Sequence, residues 1–406
     1  MTILVQKFGG TSVGSIEKIN KIANRIVQDL DQGNRLVIVV SAMSGETNRL
    51  LSLGNNVSAA PDSREMDVLL ASGEQVTISL LSMALIERGR NAQSYLGDQV
   101  AIITDNQFGR ARIESIDTEN LRRDLEDGVV PIIAGFQGVD RDGNLTTLGR
   151  GGSDTTAVAI AAALEADECQ ICTDVDGVYT ADPRLVENAR RLSTATFEEM
   201  LELASLGSKV LSARSVEFAS KYQVPIRVLS TFEEGPGTLI TMENESMEQP
   251  IVSGIAHTAD EAKLTVSGVP DIPGVASRIL SPIGKAPIEV DMIVQNTGAD
   301  GLTDFTFTVK RGDYEKAVSI LQPICKDLGA RQVSGDNTIA KISVVGVGMR
   351  SHAGVATRLF DALAAENINI QMISTSEIKI SIVVAERYME LALRCAHEEF
   401  GLSEQE

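Results

Sequence analysis

From Ile3 to about Ile240 the chain alternates short apolar strands with amphipathic helices, and no other feature restricts the fold as much. The pattern predicts strands at residues 2–6, 36–42, 101–104, 129–136, 168–173 and 225–230. Helices are predicted over 15–30, 64–88, 118–127, 154–165, 196–205 and 209–222. Strands that return only after a helix must run parallel, so the expected class is α/β, a mainly parallel sheet sandwiched by helices. Sites in such a sheet belong at the carboxyl ends of the strands.

Three glycine-bearing or loop-rich segments fall at those ends. Lys7-Phe8-Gly9-Gly10-Thr11-Ser12 closes the first strand, ahead of a helix whose apolar face is Ile16, Ile19, Ile22, Ala23, Ile26, Val27 and Leu30. Paired glycines let backbone N–H groups approach an anion, and Lys7 adds a full positive charge. A Walker-type loop is absent from the sequence, and taken alone this motif reads first as a plain structural turn. Asp142-Gly143-Asn144 then signals a hairpin, with a returning strand over 145–148. Gly149-Arg150-Gly151-Gly152-Ser153-Asp154 opens an alanine-rich helix, and Arg150 is suited to bidentate carboxylate binding. Asp154, taken locally, reads as the helix N-cap.

The third segment runs from Thr173 through Asp174, Asp176, Gly177, Tyr179 and Asp182 to Arg184, offering hydroxyls, an aromatic face and a guanidinium to a nucleotide. Lys209, at a further helix start, is a candidate phosphate contact or equally a solvated lysine.

Past a polar, acidic stretch at 241–250, read as a linker, the pattern changes to a βαββαβ unit that occurs twice. Asp271-Ile272-Pro273-Gly274-Val275-Ala276 matches Arg350 to Ala356, and Ile288-Glu289-Val290-Asp291-Met292 matches Ile368-Asn369-Ile370-Gln371-Met372. The second copy lacks a last strand, because only Gly401 to Glu406 follow its final helix. The apolar run 251–256 has no place in the first copy, so it is expected to supply that strand. The domains then read as 1–240, a linker at 241–250, a first repeat at 262–337, and a second repeat built from 251–256 plus 340–406.

Taken together, K-F-G-G-T-S-V, V-S-A-M-S-G-E-T-N at 40–48, S-G-E at 72–74, G-R-G-G-S-D and T-D-V-D-G-V-Y-T-A-D-P-R resemble the aspartokinases of the amino-acid kinase superfamily. The paired repeats resemble ACT domains, which are α+β and ferredoxin-like. The resemblance implies ATP-dependent phosphorylation of the aspartate side-chain carboxylate to 4-phospho-L-aspartate, with magnesium carried by the nucleotide phosphates. It makes Lys7 and Asp154 catalytic, and gives ATP to Lys7, Phe8, Gly9, Gly10, Thr173, Asp174, Tyr179, Asp182, Arg184 and Lys209. Aspartate would be held by Ser41, Thr47, Glu74, Arg150, Gly151, Gly152 and Ser153. Lysine, threonine or both would act as inhibitors at Asp271, Pro273, Gly274, Ala276 and Gln295, with Asn367, Asn369 and Ile370 closing the site across a dimer interface. A homo-oligomer, or assembly with a shorter ACT-only subunit started at Met242 or Met247, is implied as well. Two other readings stay open: a catalytically weak amino-acid sensor on the same scaffold, or another amino-acid kinase such as a glutamate kinase. Retention of Lys7, Arg150 and Asp154 weighs against the sensor.

Composition sets bounds. Across 406 residues, 43% hydrophobic and 23% charged is ordinary for a globular chain, and a net charge of −20 disfavours nucleic acid. The substrates are anions too, so local cations must overcome that field. No apolar run reads as a membrane span and Met1-Thr2-Ile3-Leu4 lacks a basic leader, so a cytoplasmic protein is expected. Cys169 and Cys172 form a C-x-x-C, but in a strand i and i+3 face opposite sides, so they read as core cysteines rather than a redox or metal pair. With only His257, His352 and His397, histidine-based chemistry is not expected.

Overall fold

The structure, a computed structural model, describes residues 2–206, 210–243, 250–298 and 301–403. Its contacts divide these into two units: one holds 2–179, 191–205 and 210–243, the other Thr180–Arg190, Leu206 and 250–403.

In the first unit β1 (Ile3–Phe8), α1 (Ile16–Asp31), β2 (Arg35–Val40), α2 (Glu46–Val57) and α3 (Ser63–Ile86) come first. Next are β3 (Ala92–Tyr95), β4 (Ile102–Thr104), β5 (Ile113–Ile116), α4 (Glu119–Glu126) and β6 (Val130–Ala134). The hairpin β7 (Gln137–Val139) and β8 (Leu145–Thr147) leads into α5 (Gly152–Leu164) and β9 (Glu168–Thr173). The unit ends with β10 (Thr194–Thr196), α6 (Phe197–Ser205), α7 (Ala213–Tyr222), β11 (Ile226–Ser230) and β12 (Thr238–Thr241).

Eight strands form one sheet in the order β10-β12-β11-β9-β1-β2-β6-β3, parallel throughout except where β12 meets β11. The mainly parallel α/β sheet is therefore as expected. Its core follows from strand alternation: Phe8, Leu36, Ile38 and Val40 bury one face against Ile19, Ile22 and Ile26 of α1 and Ile78, Leu81 and Leu85 of α3. Val5, Val37 and Val39 point the other way and are equally buried, on the side where α5 packs against β1 and β2. A second, four-stranded sheet, β5-β4-β7-β8, carries the hairpin that precedes α5.

Several local expectations change. Helix α2 is unforeseen, and the helix expected from 209 starts at Ala213, where the Ser212 side chain accepts from the Ser215 N–H. Helix α1 begins at Ile16 with Ser15 as its cap, so Gly9 and Gly10 lie in the preceding turn and not in the helix's first turn. At 24 residues α3 is long and apolar enough to cross a membrane by length and composition, which the sequence reading overlooked. Its buried residues are part of the core under the sheet. Cys169 and Cys172 are free and fully buried, and burial pushes both thiols up, Cys172 to about 11.

In the second unit two long strands hold both repeats. These are β13 (Gly254–Pro270) and β16 (Gln332–Val345), joined by α8 (Val275–Lys285), β14 (Val290–Thr297), β15 (Leu302–Lys310) and α9 (Tyr314–Asp327). Helix α10 (Val355–Ala365), β17 (Met372–Thr375), β18 (Lys379–Ala385) and α11 (Met389–Glu399) complete it. The sheet order is β14-β15-β13-β16-β18-β17. The early part of β13 pairs with the late part of β16 (Gly254 with Val345, Ile255 with Val344, Ala256 with Ser343), and β16 pairs there with β18. Thr180–Arg190, inside the stretch read as 1–240, groups with this unit for a physical reason. Ala181 and Val186 enter its core beside Ile255, Leu393 and Ala396. The Ile255 N–H donates to the Thr180 carbonyl at 2.7 Å, and the Thr180 hydroxyl meets His397 Nε2 at 2.9 Å.

The repeats also meet through matching residues. Ala262-Lys263-Leu264-Thr265-Val266 aligns with Ala340-Lys341-Ile342-Ser343-Val344. Lys341 is ion-paired with Asp291 of the first repeat, and with Glu261 at 3.1 Å, while Lys263 donates to Gln371 of the second at 2.6 Å. Asp291 and Gln371 are themselves equivalent positions, and the neighbouring Met292 and Met372 share a small apolar cluster with Ile339 and Val383. Each repeat thus holds the other by the same lysine position.

Candidate active site

Lys7 is the penultimate residue of β1, in the middle of the sheet, and its ammonium lies 2.5 Å from Asp154 Oδ1. Both side chains are largely buried, at 11% and 13% exposure. Asp154 is not the cap of α5. The helix starts at Gly152, with Gly151 in the left-handed region (φ 70°), which places Asp154 in the first turn with its carboxylate turned to Lys7. A side chain at Gly9 would sit 3.5 Å from the Lys7 ammonium, so the cation lies over the glycine turn.

Glycines and small residues draw the neighbouring strand ends together. A Cβ on Gly10 would lie 2.8 Å from the Ala42 carbonyl, and one on Gly73 would lie 2.9 Å from Ala42 Cβ. The Ser44 N–H donates to the Gly10 carbonyl and the Ser41 N–H to that of Phe8. Glu74, on α3, accepts the Ala42 N–H at 3.0 Å through Oε1, while its Oε2 is buried without a hydrogen-bond partner. Burial pushes the Glu74 carboxyl up to about 7, the Ala42 N–H only partly offsetting it. A buried carboxylate oxygen with no donor suits a ligand ammonium, whose positive charge would restore the ionised form.

The Gly149–Ser153 loop is equally crowded. A Cβ on Gly151 would lie 2.3 Å from Ser212 Cβ, and one on Gly135 would lie 2.8 Å from Ser153. Arg150 is exposed at the tip, and Thr47 is half-buried in the first turn of α2. Sequence reasoning missed Gly135-Phe136 at the end of β6. Phe136 holds φ at 70°, uncommon for a bulky side chain, and a Cβ on Gly152 would meet its ring at 2.9 Å. The signal was a Gly-Phe pair directly after an apolar strand.

The nucleotide candidates divide. Thr173 and Asp174 end β9, next to β1, and the Thr173 hydroxyl donates to Asp174. Tyr179 donates its hydroxyl to Asp176 at 2.8 Å. Asp182 and Arg184 belong to the second unit and pair with each other at 2.6 Å; the Arg184 hydrogen bond holds the Asp182 carboxyl below its usual range. The Phe8 side chain is fully buried under α1, leaving only its backbone for a ligand. Lys209 lies outside the described residues. In the second unit, Asp271, Pro273 and Gly274 form an exposed turn into α8, and Gln295 is exposed on β14. Asn367, at φ 55°, Asn369 and the half-buried Ile370 lie between α10 and β17.

A parallel sheet with an acid–lysine pair at its central strand end, followed by paired α+β repeats, defines a class. Residues 2–230 match the Amino acid kinase family, and 264–323 and 342–400 each match an ACT domain. An aspartate kinase of Stutzerimonas stutzeri is 64% identical over 403 residues, covering 99% of this chain and 98% of the relative. E. coli aspartokinase III in complex with aspartate and ADP superimposes with a TM-score of 0.80 at 26% identity, over 98% of this chain and 99% of that one. The same enzyme in complex with lysine and aspartate gives 0.78 at 26% identity, with the same coverage. The chain belongs to the aspartokinases, and its activity is that of an aspartate kinase.

Proposed function

We propose that Lys7 and Asp154 carry phosphoryl transfer from ATP to the side-chain carboxylate of aspartate, and that the observation carrying this is their 2.5 Å pair at the end of the central strand. The attacking carboxylate, with an ordinary pKa of about 4, is ionised at neutral pH, so no general base is required. Its oxygen forms the new P–O bond as the bond to the ADP oxygen breaks. The work left to the protein is bringing two anions in line and neutralising charge on the phosphoryl group. Lys7 neutralises that charge, the glycine turn adds the Gly10 N–H, and Asp154 fixes the direction of the ammonium.

Glu74 takes the α-amino group of aspartate through its unpartnered oxygen, and Arg150 its α-carboxylate; Ser41, Thr47, Gly151, Gly152 and Ser153 line the space between. Thr173, Asp174 and Tyr179 face the nucleotide, with Lys209 as a further contact. Magnesium would come with the nucleotide phosphates. It prefers hard oxygen ligands, and the exposed Asp174 carboxylate at the end of β9 is one of that type. The test is ATP-dependent acyl-hydroxamate formation with aspartate, glutamate and acetylglutamate side by side. Aspartate should exceed the others by at least about 100-fold in kcat/KM, as expected where buried polar groups are matched to one ligand. Comparable rates with acetylglutamate, whose nitrogen carries no charge, would sink the assignment of Glu74, and comparable rates with glutamate would sink selectivity for the shorter side chain.

For regulation, the pairing of Gly254–Ala256 with β16 supports reading the first ACT repeat as inserted within the second, with 251–256 as the second repeat's last strand. The effector, lysine or threonine, sits at the 271–276 turn with Gln295, and Asn367, Asn369 and Ile370 of a second copy complete the site. Gly274 and Gly354, both near φ 90°, cap the equivalent helices, so the two repeats offer the same turn. Assembly is then a homo-oligomer or a complex with a shorter ACT-only chain. Asp271→Ala and Asn369→Ala should each abolish inhibition and leave uninhibited turnover within about twofold, as a coupling between separate sites requires. Inhibition surviving in both variants would refute the site.

A further inference from the structure

We propose that Asp67 is a positioning residue for aspartate, holding the Arg150 loop at a set distance from Glu74. This rests on the reading above, in which Glu74 and Arg150 receive the two ends of the amino acid. Asp67 and Glu74 are seven residues apart on α3, two helical turns, so they share one face about 10 Å apart. Asp67 is 1% exposed, and among the described residues no lysine or arginine bonds to it. Its carboxylate accepts three donors instead: the Thr147 N–H at 2.8 Å, the Thr147 hydroxyl at 2.7 Å and the Gly109 N–H at 2.9 Å.

Those donors are at the root of the loop. Thr147 ends β8, two residues before Gly149, the first residue of the Arg150 turn. The Gly109 carbonyl lies 3.0 Å from where a Cβ on Gly149 would sit, so the residue whose N–H Asp67 holds also forms, through its carbonyl, the wall against which the loop starts. Arg214 fastens the same root from the other side, donating to the carbonyls of Leu148 at 2.6 Å and Ala111 at 2.7 Å. Beyond this clamp the chain is Gly149-Arg150-Gly151-Gly152, with Gly149 and Gly151 in the left-handed region. A loop so rich in glycine cannot fix its own direction, so its base has to. One rigid helix therefore carries the receptor for the ammonium and the anchor for the receptor of the carboxylate. A buried carboxylate spent on two backbone segments is an expensive way to stabilise a hairpin, and its return is geometric precision at Arg150.

The test compares steady-state constants for Asp67→Ala, Asp67→Asn, Thr147→Val and Thr147→Ser in the full chain. Asp67→Ala should raise KM for aspartate about tenfold or more while KM for ATP moves less than about twofold, the scale of losing hydrogen bonds to a charged group. Asp67→Asn should recover most of the loss, because its single oxygen can take both N–H groups while its amide donates to the Thr147 hydroxyl. Thr147→Val should shift KM for aspartate in the same direction by a smaller factor, and Thr147→Ser should restore it. If Asp67→Ala does not fold, the Thr147 pair decides the matter. Loss of kcat with both KM values unmoved would mean a merely structural role and overturn the proposal. Arg150→Lys runs alongside. If it raises KM for aspartate and the Asp67 and Thr147 variants do not, positioning by Asp67 is wrong and the substrate reading stands. If it leaves KM for aspartate unchanged, the substrate reading fails and the proposal with it.

Discussion

Lys7→Ala should lower kcat by about 10³-fold while ATP binding weakens only a few-fold, the range seen when a charge-stabilising group is removed from a phosphoryl- or acyl-transfer site. The ammonium follows charge that grows on the transferring group, so its loss falls on the transition state more than on bound nucleotide. The substitution also strands the largely buried Asp154 beside an anionic substrate, which adds repulsion to the lost attraction. Asp154→Asn in the same background separates the two effects. If stranded charge is the larger part, the double variant recovers activity over Lys7→Ala; if neutralisation is, it does not. Fluorescent nucleotide titration alongside initial rates makes the distinction. Turnover of Lys7→Ala within a few-fold of the parent would remove Lys7 from the chemistry.

How much of this was visible beforehand depends on whether the cause was local. The β1 motif, the Gly149–Asp154 loop and the register of the two repeats were legible because periodicity and glycine placement act within a few residues. Helix α2 was missed because Leu53-Gly54-Asn55-Asn56 breaks its apolar pattern. A Cβ on Gly54 would lie 2.4 Å from the Met66 methyl, the far end of a flexible side chain that can move aside, so packing alone does not demand glycine there. Strands of three or four residues such as β3, β7 and β10 carry too little pattern to register. The Lys7–Asp154 pair joins residues 147 positions apart in sequence, which resemblance suggested and spacing could not. Nor does any local signal say which core receives Ala181 and Val186, since Asp-Gly and Asp-Pro mark a loop without marking its destination. Asp67, one acid within a predicted helix, was not singled out. Its role depends on two backbone segments, around Gly109 and Thr147, that reach it only in the folded chain.

The contact between the repeats yields the second large effect. Lys341→Met should cost the second unit about 3–5 kcal/mol, because it leaves Glu261 buried without its counter-charge. Asp291, half exposed, is re-solvated and adds little. For a unit of this size that corresponds to roughly 6–20 °C in its unfolding midpoint. The loss should depend on pH, and the sign follows from Glu261. Burial already raises its carboxyl above the ordinary value, with Lys341 opposing the rise. A carboxyl raised in the folded state takes up protons on folding, so its contribution grows more unfavourable as pH climbs from the unfolded value of about 4.5 through the folded one. Removing Lys341 raises it further and widens that window upward. The deficit against the parent should therefore be larger at pH 8 than at pH 5, as measured by calorimetry at both. Adding Glu261→Gln should restore most of the midpoint, since the amide needs no counter-charge. A deficit independent of pH, or one that Glu261→Gln leaves in place, would show that Lys341 acts by packing alone. Lys263→Met, which parts a lysine from the neutral Gln371 and from the Asp336 carboxylate, only half-buried, should cost clearly less, although it occupies the matching position of the other repeat. The asymmetry between two equivalent lysines would then trace to burial: Lys341 faces the buried Glu261, while Lys263 faces the neutral Gln371 and the better solvated Asp336.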